Sequence, residues 1–260
     1  MRIVMDVYRT LDDVVDGLVA LEGQLRARGD RRAIFTTLYG IVSAEIRAQV
    51  AAGRFADSHW VHRYAVSFAN LYRLAFLAYE ERRMDAVPKA WRLCFDAAAS
   101  GTGLVLVDMF LGVNAHVNHD LPYAIDGIRI GSDRELRYRD HAAVNAVLAS
   151  VTDSATARIA ALYAPGLTAA DDCAGELDER ISLFSLAVAR DSAWESALAL
   201  SQASALERKL IGTVIAGRSA AMAKLLLAPS SNPALTAACH RIEQGTGWLA
   251  LLHALGGAAR

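Results

Sequence analysis

Side chains able to do acid–base or metal chemistry are concentrated in residues 101–124, a stretch that is otherwise mostly apolar. Within it, His116 and Asp120 are four residues apart and His116 and His119 are three apart, so a helix would bring all three to one face. Burying such groups costs several kcal/mol unless they are paired, hydrogen-bonded or metal-bound. This stretch therefore holds the strongest candidate for a functional site.

Three interpretations fit the polar stripe, which consists of Asp108, Gly112, His116, His119 and Asp120. In the first, imidazole and carboxylate groups bind a divalent metal such as zinc, with further ligands from another helix; the candidate ligands are His116, His119, Asp120, His59 and His62. In the second, Asp120 orients His116 as a general acid or base without a metal, and Asp108 is a further catalytic residue. In the third, the same groups form a structural polar network.

A long helix, predicted from a cap at Asp57 to about Arg83, is the second informative stretch. One side of it is polar (His59, His62, Arg63, Asn70, Arg73, Glu80) and the opposite side is aromatic (Tyr64, Phe68, Tyr72, Tyr79). We expect the polar side to face the stripe, and the aromatic side to pack mainly into the core, with aromatic rings near the site to wall a pocket. The candidate substrate-binding residues are Asn114, Arg63, Tyr64, Arg73 and Tyr72, the arginines binding a carboxylate or stabilising developing negative charge.

Composition predicts an all-α fold. Hydrophobic residues make up 54% of the chain, alanine and leucine are abundant, and only five prolines occur. Helical periodicity and turn signals predict a single domain over residues 1–260, a multi-helix bundle around a buried central helix at about 103–121. Separate helices are expected over 133–151 and 154–164, and Pro122 is expected to end or kink the central helix. Gly40, inside another predicted helix, indicates close packing against a neighbour.

Charge, cysteine content and missing motifs exclude several function classes. A net charge of −1 without a basic block argues against nucleic-acid binding. No apolar run reaches the length of a membrane span, and no phosphate-binding loop or dinucleotide fingerprint predicts a nucleotide cofactor. Three widely spaced cysteines and an acid-interrupted N-terminus predict reduced thiols in the cytoplasm. The apolar last helix around Trp248 is expected either to pack inward or to form a homodimer face.

The segment 112–122, GVNAHVNHDLP, resembles a family of uncharacterised bacterial proteins, common in actinobacteria, with an all-helical body and a G-x-N-A-H-x-x-x-D-L core. Residues 64–79 and the segment 190–194 look like the same family, so the resemblance covers most of the chain. It implies importance for Asn114, His116 and Asp120, which favours the His116–Asp120 pair over a three-ligand metal site. A fainter likeness is to the helical zinc-dependent phospholipase C and nuclease group, which needs more His and Asp ligands than this chain offers.

Two functions are carried forward from the sequence. One is an enzyme of specialised metabolism that acts on a small, largely apolar metabolite by cyclisation, elimination or hydrolysis, with His116 as base or ligand and Asp120 as its orienter. The other is a non-catalytic helical binding or scaffold protein, in which the same groups form a buried structural network.

Overall fold

The computed structural model describes residues 3–165, 185–228, 237, 239–241 and 243–244. This part of the chain is helical and contains no strand, as the composition predicts. Its helices are α1 (Leu11–Ala27), α2 (Ala33–Ala51), α3 (Ser58–Glu80), α4 (Lys89–Ser100), α5 (Val105–Asn114), α6 (Leu121–Gly127), α7 (Arg134–Tyr163), α8 (Leu186–Gln202) and α9 (Ala205–Leu226). A 3₁₀ turn, Met84–Ala86, precedes α4, and a π-helical segment, Ala115–Asp120, joins α5 to α6.

The central helix is longer than predicted and contains an irregular turn. Residues 105–127 form one continuous helix, made of α5, the π segment and α6. It packs against α2, α3, α4, α8 and α9. Leu121 donates its backbone N–H to His116 O, five residues back. Pro122 does not end the helix, because this widened turn lies directly before it and relieves the clash that a proline ring makes with the preceding turn of an α-helix.

Helix α7 is a single helix where the sequence predicts two. Residues 152–154 contain no glycine or proline, and their hydroxyl groups are satisfied inside the helix. Thr152 donates to Leu148 O and Ser154 donates to Val151 O. Polar residues that favour turns are tolerated in a helix when their hydroxyls bond to carbonyls one turn back, so α7 continues through them.

Two apolar clusters meet on the central helix and hold it in place. Leu111 and Ala115 belong to a cluster with α1, α2, α3 and α4. Val117 and Leu121 belong to a second cluster, which includes Trp60 of α3 and Trp194 of α8. The π segment therefore lies where the two clusters join, and its polar side chains are surrounded by packed apolar residues.

Close helix packing occurs at Gly112 rather than at Gly40. The nearest atom to a Cβ built at Gly40 is Leu18 Cβ at 3.9 Å, which is an ordinary contact. A Cβ built at Gly112 would lie 2.4 Å from Phe35 Cγ. The missing side chain at Gly112 thus lets α5 approach α2, and Gly40 has no such role.

A buried glutamate caps the start of the central helix. Glu243 Oε1 accepts the Val105 N–H at 2.9 Å, and burial raises the pKa of this carboxyl to about 7. The folded protein therefore holds the Glu243 proton more tightly than the unfolded chain does, whose pKa is near 4.5. By linkage, this group makes the free energy of unfolding fall as the pH rises from about 4.5 to about 7.

We expect Glu243→Gln to raise the free energy of unfolding by about 1–3 kcal/mol at pH 8, because it removes the buried charge and keeps the acceptor oxygen. At pH 4.5 or below the substitution should change little, since the carboxyl is protonated there. Urea denaturation at both pH values measures the difference. An equal effect at the two pH values would show that the charge is not the cause.

Two further expectations from the sequence concern other parts of the chain. The last helix around Trp248, with its proposed dimer face, lies outside the described residues. Among the helices that are described, none combines the length and apolar character needed to cross a membrane.

Candidate functional site

The Asp120 carboxylate is the centre of a buried hydrogen-bond network. It accepts three N–H groups: from Trp91 Nε1 at 2.8 Å, His116 Nδ1 at 3.0 Å and His119 Nδ1 at 2.8 Å. Burial raises the pKa of Asp120, but the hydrogen bonds from the two imidazoles outweigh it and hold the pKa below its ordinary value. Asp120 is therefore ionised at neutral pH although it is only 2% exposed.

The His116 imidazole lies in a box of aromatic rings. It stacks on Phe68 with centroids 3.4 Å apart and meets Tyr39 edge-on at 4.5 Å. Burial lowers the pKa of His116 more than its hydrogen bond to Asp120 raises it, so the ring is neutral at neutral pH. Since Nδ1–H is given to Asp120, Nε2 carries the free electron pair, and it has no partner in the described part of the chain.

A cavity of about 470 Å³, here called the central cavity, is lined by His116 and by residues of α1, α2, α3, α5, α7 and α8. Most of its lining is apolar and includes Val42, Ile46, Phe68, Phe110, Val113, Val144 and Leu148. Its polar lining residues are Tyr39, Ser43, Tyr64, His116, Asn145, Thr152, Thr156 and Arg190. The volume is that of a small-molecule site, and a mostly apolar lining with a few polar groups is typical of one.

A second polar group in the cavity wall is built around Arg190, which is 3% exposed. Its Nε donates to Asn145 Oδ1 at 2.7 Å and its Nη2 donates to His141 O at 2.6 Å, whereas Nη1 reaches only Tyr64 Oη at 3.4 Å. Burial and the neighbouring guanidinium lower the pKa of His141 to about 3, so that ring is neutral. Its Nε2–H donates to Arg190 O at 3.1 Å. The Arg190 cluster thus carries one positive charge.

Asp108 does not join the His116–Asp120 pair. It lies two turns earlier, about 12 Å along a helix axis, and does not line the central cavity. Its Oδ2 accepts Arg31 Nε at 2.6 Å, and Arg31 Nη2 also donates to Gly103 O. The predicted catalytic role of Asp108 has no geometric support, because its carboxylate ties the start of α5 to the start of α2.

Asn114 and His119 also lie outside the cavity lining. Asn114 donates to Ser219 O of α9 and accepts from Asn118, so its amide joins two helices. Because these hydrogen bonds hold the Asn114 amide against other protein groups, they do not fit its predicted contact with a substrate. His119 is bonded to Asp120 and packs beside Tyr123.

The structure turns the aromatic face of α3, rather than its polar face, toward the π segment. His59 is exposed, and His62 lines a separate surface groove with Arg63, whose Nη2 donates to Ile128 O. The expectation that this polar face borders the site is therefore wrong. Hydrogen bonds bring His116, His119 and Asp120 together, but in the described ranges no three His, Cys, Asp or Glu side chains are arranged to hold a metal ion, and His59 and His62 lie apart from the others.

The remaining predicted binding residues divide between core and cavity. Arg73 is buried and donates to Asn70 Oδ1 at 3.3 Å, away from the cavity lining. Tyr72 is fully buried, and its hydroxyl pairs with Thr36 at 2.8 Å. Tyr64 lines the cavity, where its hydroxyl contacts Arg190.

Arg190 lines the cavity, although it is not among the candidate site residues predicted from the sequence. Its guanidinium faces Asn145, Tyr64 and His141. The sequence feature that could have identified Arg190 is its position on the buried face of α8. The other residues of that face are Ala189, Ala193, Trp194, Ala197, Leu198 and Leu200. A lone arginine on such a face must find polar partners or a ligand.

Comparison with known proteins assigns the chain to a family. A family model described as a family of unknown function (DUF5995) matches residues 11–229. The chain belongs to the DUF5995 family. The match includes every helix from α1 to α9, and with them the His116–Asp120 pair and the Arg190 cluster. No match was found among curated proteins or among solved structures.

Proposed function

We propose that the protein is an enzyme that acts on a small, largely apolar molecule, with His116 as its general base. The observation that carries this proposal is the Nε2 atom of His116, which has no hydrogen-bond partner among the described residues and belongs to a ring that lines an apolar cavity. An unsatisfied buried nitrogen costs free energy, and such groups concentrate at functional sites.

The chemistry would follow from the protonation states of the pair. Asp120 fixes the tautomer by accepting Nδ1–H, which leaves the electron pair at Nε2 to take a proton from a bound molecule. The imidazolium formed in this step is stabilised by the adjacent carboxylate, so the proton can then be returned to a leaving group or to another atom of the substrate. Elimination and cyclisation fit the apolar lining better than hydrolysis, which would need a water molecule held beside Nε2.

A non-catalytic binding protein is the second candidate, and the contacts of Asp120 favour it in part. Trp91 and His119 donate to the same carboxylate but do not line the central cavity, so the network also joins α4 to the π segment. Under this hypothesis the cavity binds a ligand, and His116 contributes only a polar contact to it.

The substitution His116→Asn separates these functions, because the Asn amide nitrogen can take the place of Nδ1 as a donor to Asp120 while Nε2 is removed. The probe is 5-nitrobenzisoxazole, whose ring opens to a coloured phenolate when a base removes its carbon-bound proton. We expect the unmodified protein to accelerate this ring opening and His116→Asn to slow it by at least about 10²-fold. The rate should rise with pH through a transition below about 6.5, since burial lowers the His116 pKa.

The matched control is His119→Asn, because His119 also donates to Asp120 but does not line the cavity. It should keep most of the activity. Equal losses in the two variants, or no acceleration by the unmodified protein, would contradict a role of His116 as base and favour the binding function.

A further inference from the structure

The Arg190 guanidinium is a buried cation whose described partners are all uncharged. They are the Asn145 side chain, the Tyr64 hydroxyl, and the backbone carbonyl and ring of His141. Buried charges in proteins are normally paired, and leaving one without a counter-charge is costly. The position of Arg190 in the lining of the central cavity indicates that a ligand supplies the negative charge.

One nitrogen of the guanidinium has hydrogen-bonding capacity left for such a ligand. Nε and Nη2 are committed to Asn145 and His141 at 2.7 and 2.6 Å. Nη1 has only the 3.4 Å contact with Tyr64, longer than an ordinary N–H···O bond, although it carries two N–H groups. An anion beside Nη1 would therefore gain charge-assisted hydrogen bonds without displacing the strong existing ones.

Arg190 and His116 are connected along one wall of the cavity. Tyr64 and Phe68 lie one turn apart on α3, with ring centroids 6.3 Å apart and nearly parallel planes. Tyr64 contacts Arg190 at one end of this pair, and Phe68 stacks on His116 at the other. A molecule lying along the two rings would have its anionic end at Arg190 and its apolar part beside the His116 ring.

We infer that the central cavity binds an amphipathic carboxylate, with the carboxylate on Arg190 and the apolar body extending toward His116. A carboxylate matches the single positive charge of the Arg190 cluster, whereas a phosphate dianion would leave excess negative charge in an apolar wall. A cavity of about 470 Å³ lies in the size range of small-molecule sites, which suits a medium-chain acid. Naming this ligand as the substrate rests on the proposed function; its binding does not.

Calorimetric titration with decanoate and with decan-1-ol tests the inference. We expect decanoate to bind the unmodified protein more tightly than the alcohol. Arg190→Met should weaken decanoate binding by about 10- to 100-fold and leave decan-1-ol binding nearly unchanged, which also shows that the variant is folded. His62→Asn, in the separate surface groove, should bind both ligands normally.

Several outcomes would overturn the inference. They are equal affinity for acid and alcohol, equal loss of both ligands in Arg190→Met, and tighter binding of decyl phosphate than of decanoate. The result also separates the two proposals. Decanoate binding without ring opening of 5-nitrobenzisoxazole supports the carboxylate site and contradicts the enzyme. Ring opening without Arg190-dependent binding of decanoate supports the enzyme and contradicts the carboxylate site.

Discussion

Replacing Asp120 with alanine is expected to lower the free energy of unfolding by about 3–5 kcal/mol, the range for removing one partner of a buried charged network. Three buried N–H donors, on Trp91, His116 and His119, would lose their shared acceptor. Urea denaturation followed by circular dichroism gives the free energy. Asp12→Ala is the control, because Asp12 is exposed and its ion pair with Arg47 should contribute less than about 1 kcal/mol.

An equal cost in the two variants would contradict the central place of Asp120 in the network. The substitution Asp120→Asn then tests its second role, the orientation of His116. An amide has one acceptor oxygen and a donor group, so His116 should adopt the opposite tautomer and carry its proton on Nε2. Nitrogen-15 NMR of the imidazole distinguishes the two tautomers, and the unmodified protein should show the Nδ1–H form.

Replacing Gly112 with alanine is also expected to have a large effect, a loss of about 3 kcal/mol or more in the free energy of unfolding. The new methyl carbon would overlap Phe35, whose Cγ and Cδ2 atoms lie 2.4 and 2.5 Å from its position. Phe35 cannot move freely, because its ring packs against Tyr39, Tyr72 and Trp91. Overpacking of such a core typically costs 1–3 kcal/mol and at times more.

The matched control is Gly23→Ala in the exposed interior of α1, where nothing lies within 4 Å of the new Cβ. It should stabilise the protein by about 0.5–1 kcal/mol, because alanine favours the helix and glycine does not. Thermal unfolding of both variants measures the contrast. If Gly112→Ala lowered the free energy of unfolding no more than Gly23→Ala does, the close approach of α5 to α2 at Gly112 would be contradicted.

Local patterns in the sequence determined the helices and the central pair. The apolar periodicity predicted α3 to within a few residues, and Asp57 was predicted as its cap, where it accepts the Trp60 N–H. His116 and Asp120 are four residues apart in one segment, so their contact depends only on the helical backbone around them. These features could be predicted because neighbours in sequence dictate them.

The partners of each polar group were decided by tertiary packing. The periodicity of α3 gave two faces but not which one meets the π segment, and Arg31 is 77 residues away in sequence from the aspartate it pairs with. The π segment adds a residue to one turn, which changes the angular positions that a regular helix assigns to the residues after it. The aromatic box around His116 and the polar surroundings of Arg190 arise only when α2, α3, α7 and α8 close around the central helix. Contacts between helices distant in sequence depend on mutual packing, and no local pattern encodes that arrangement.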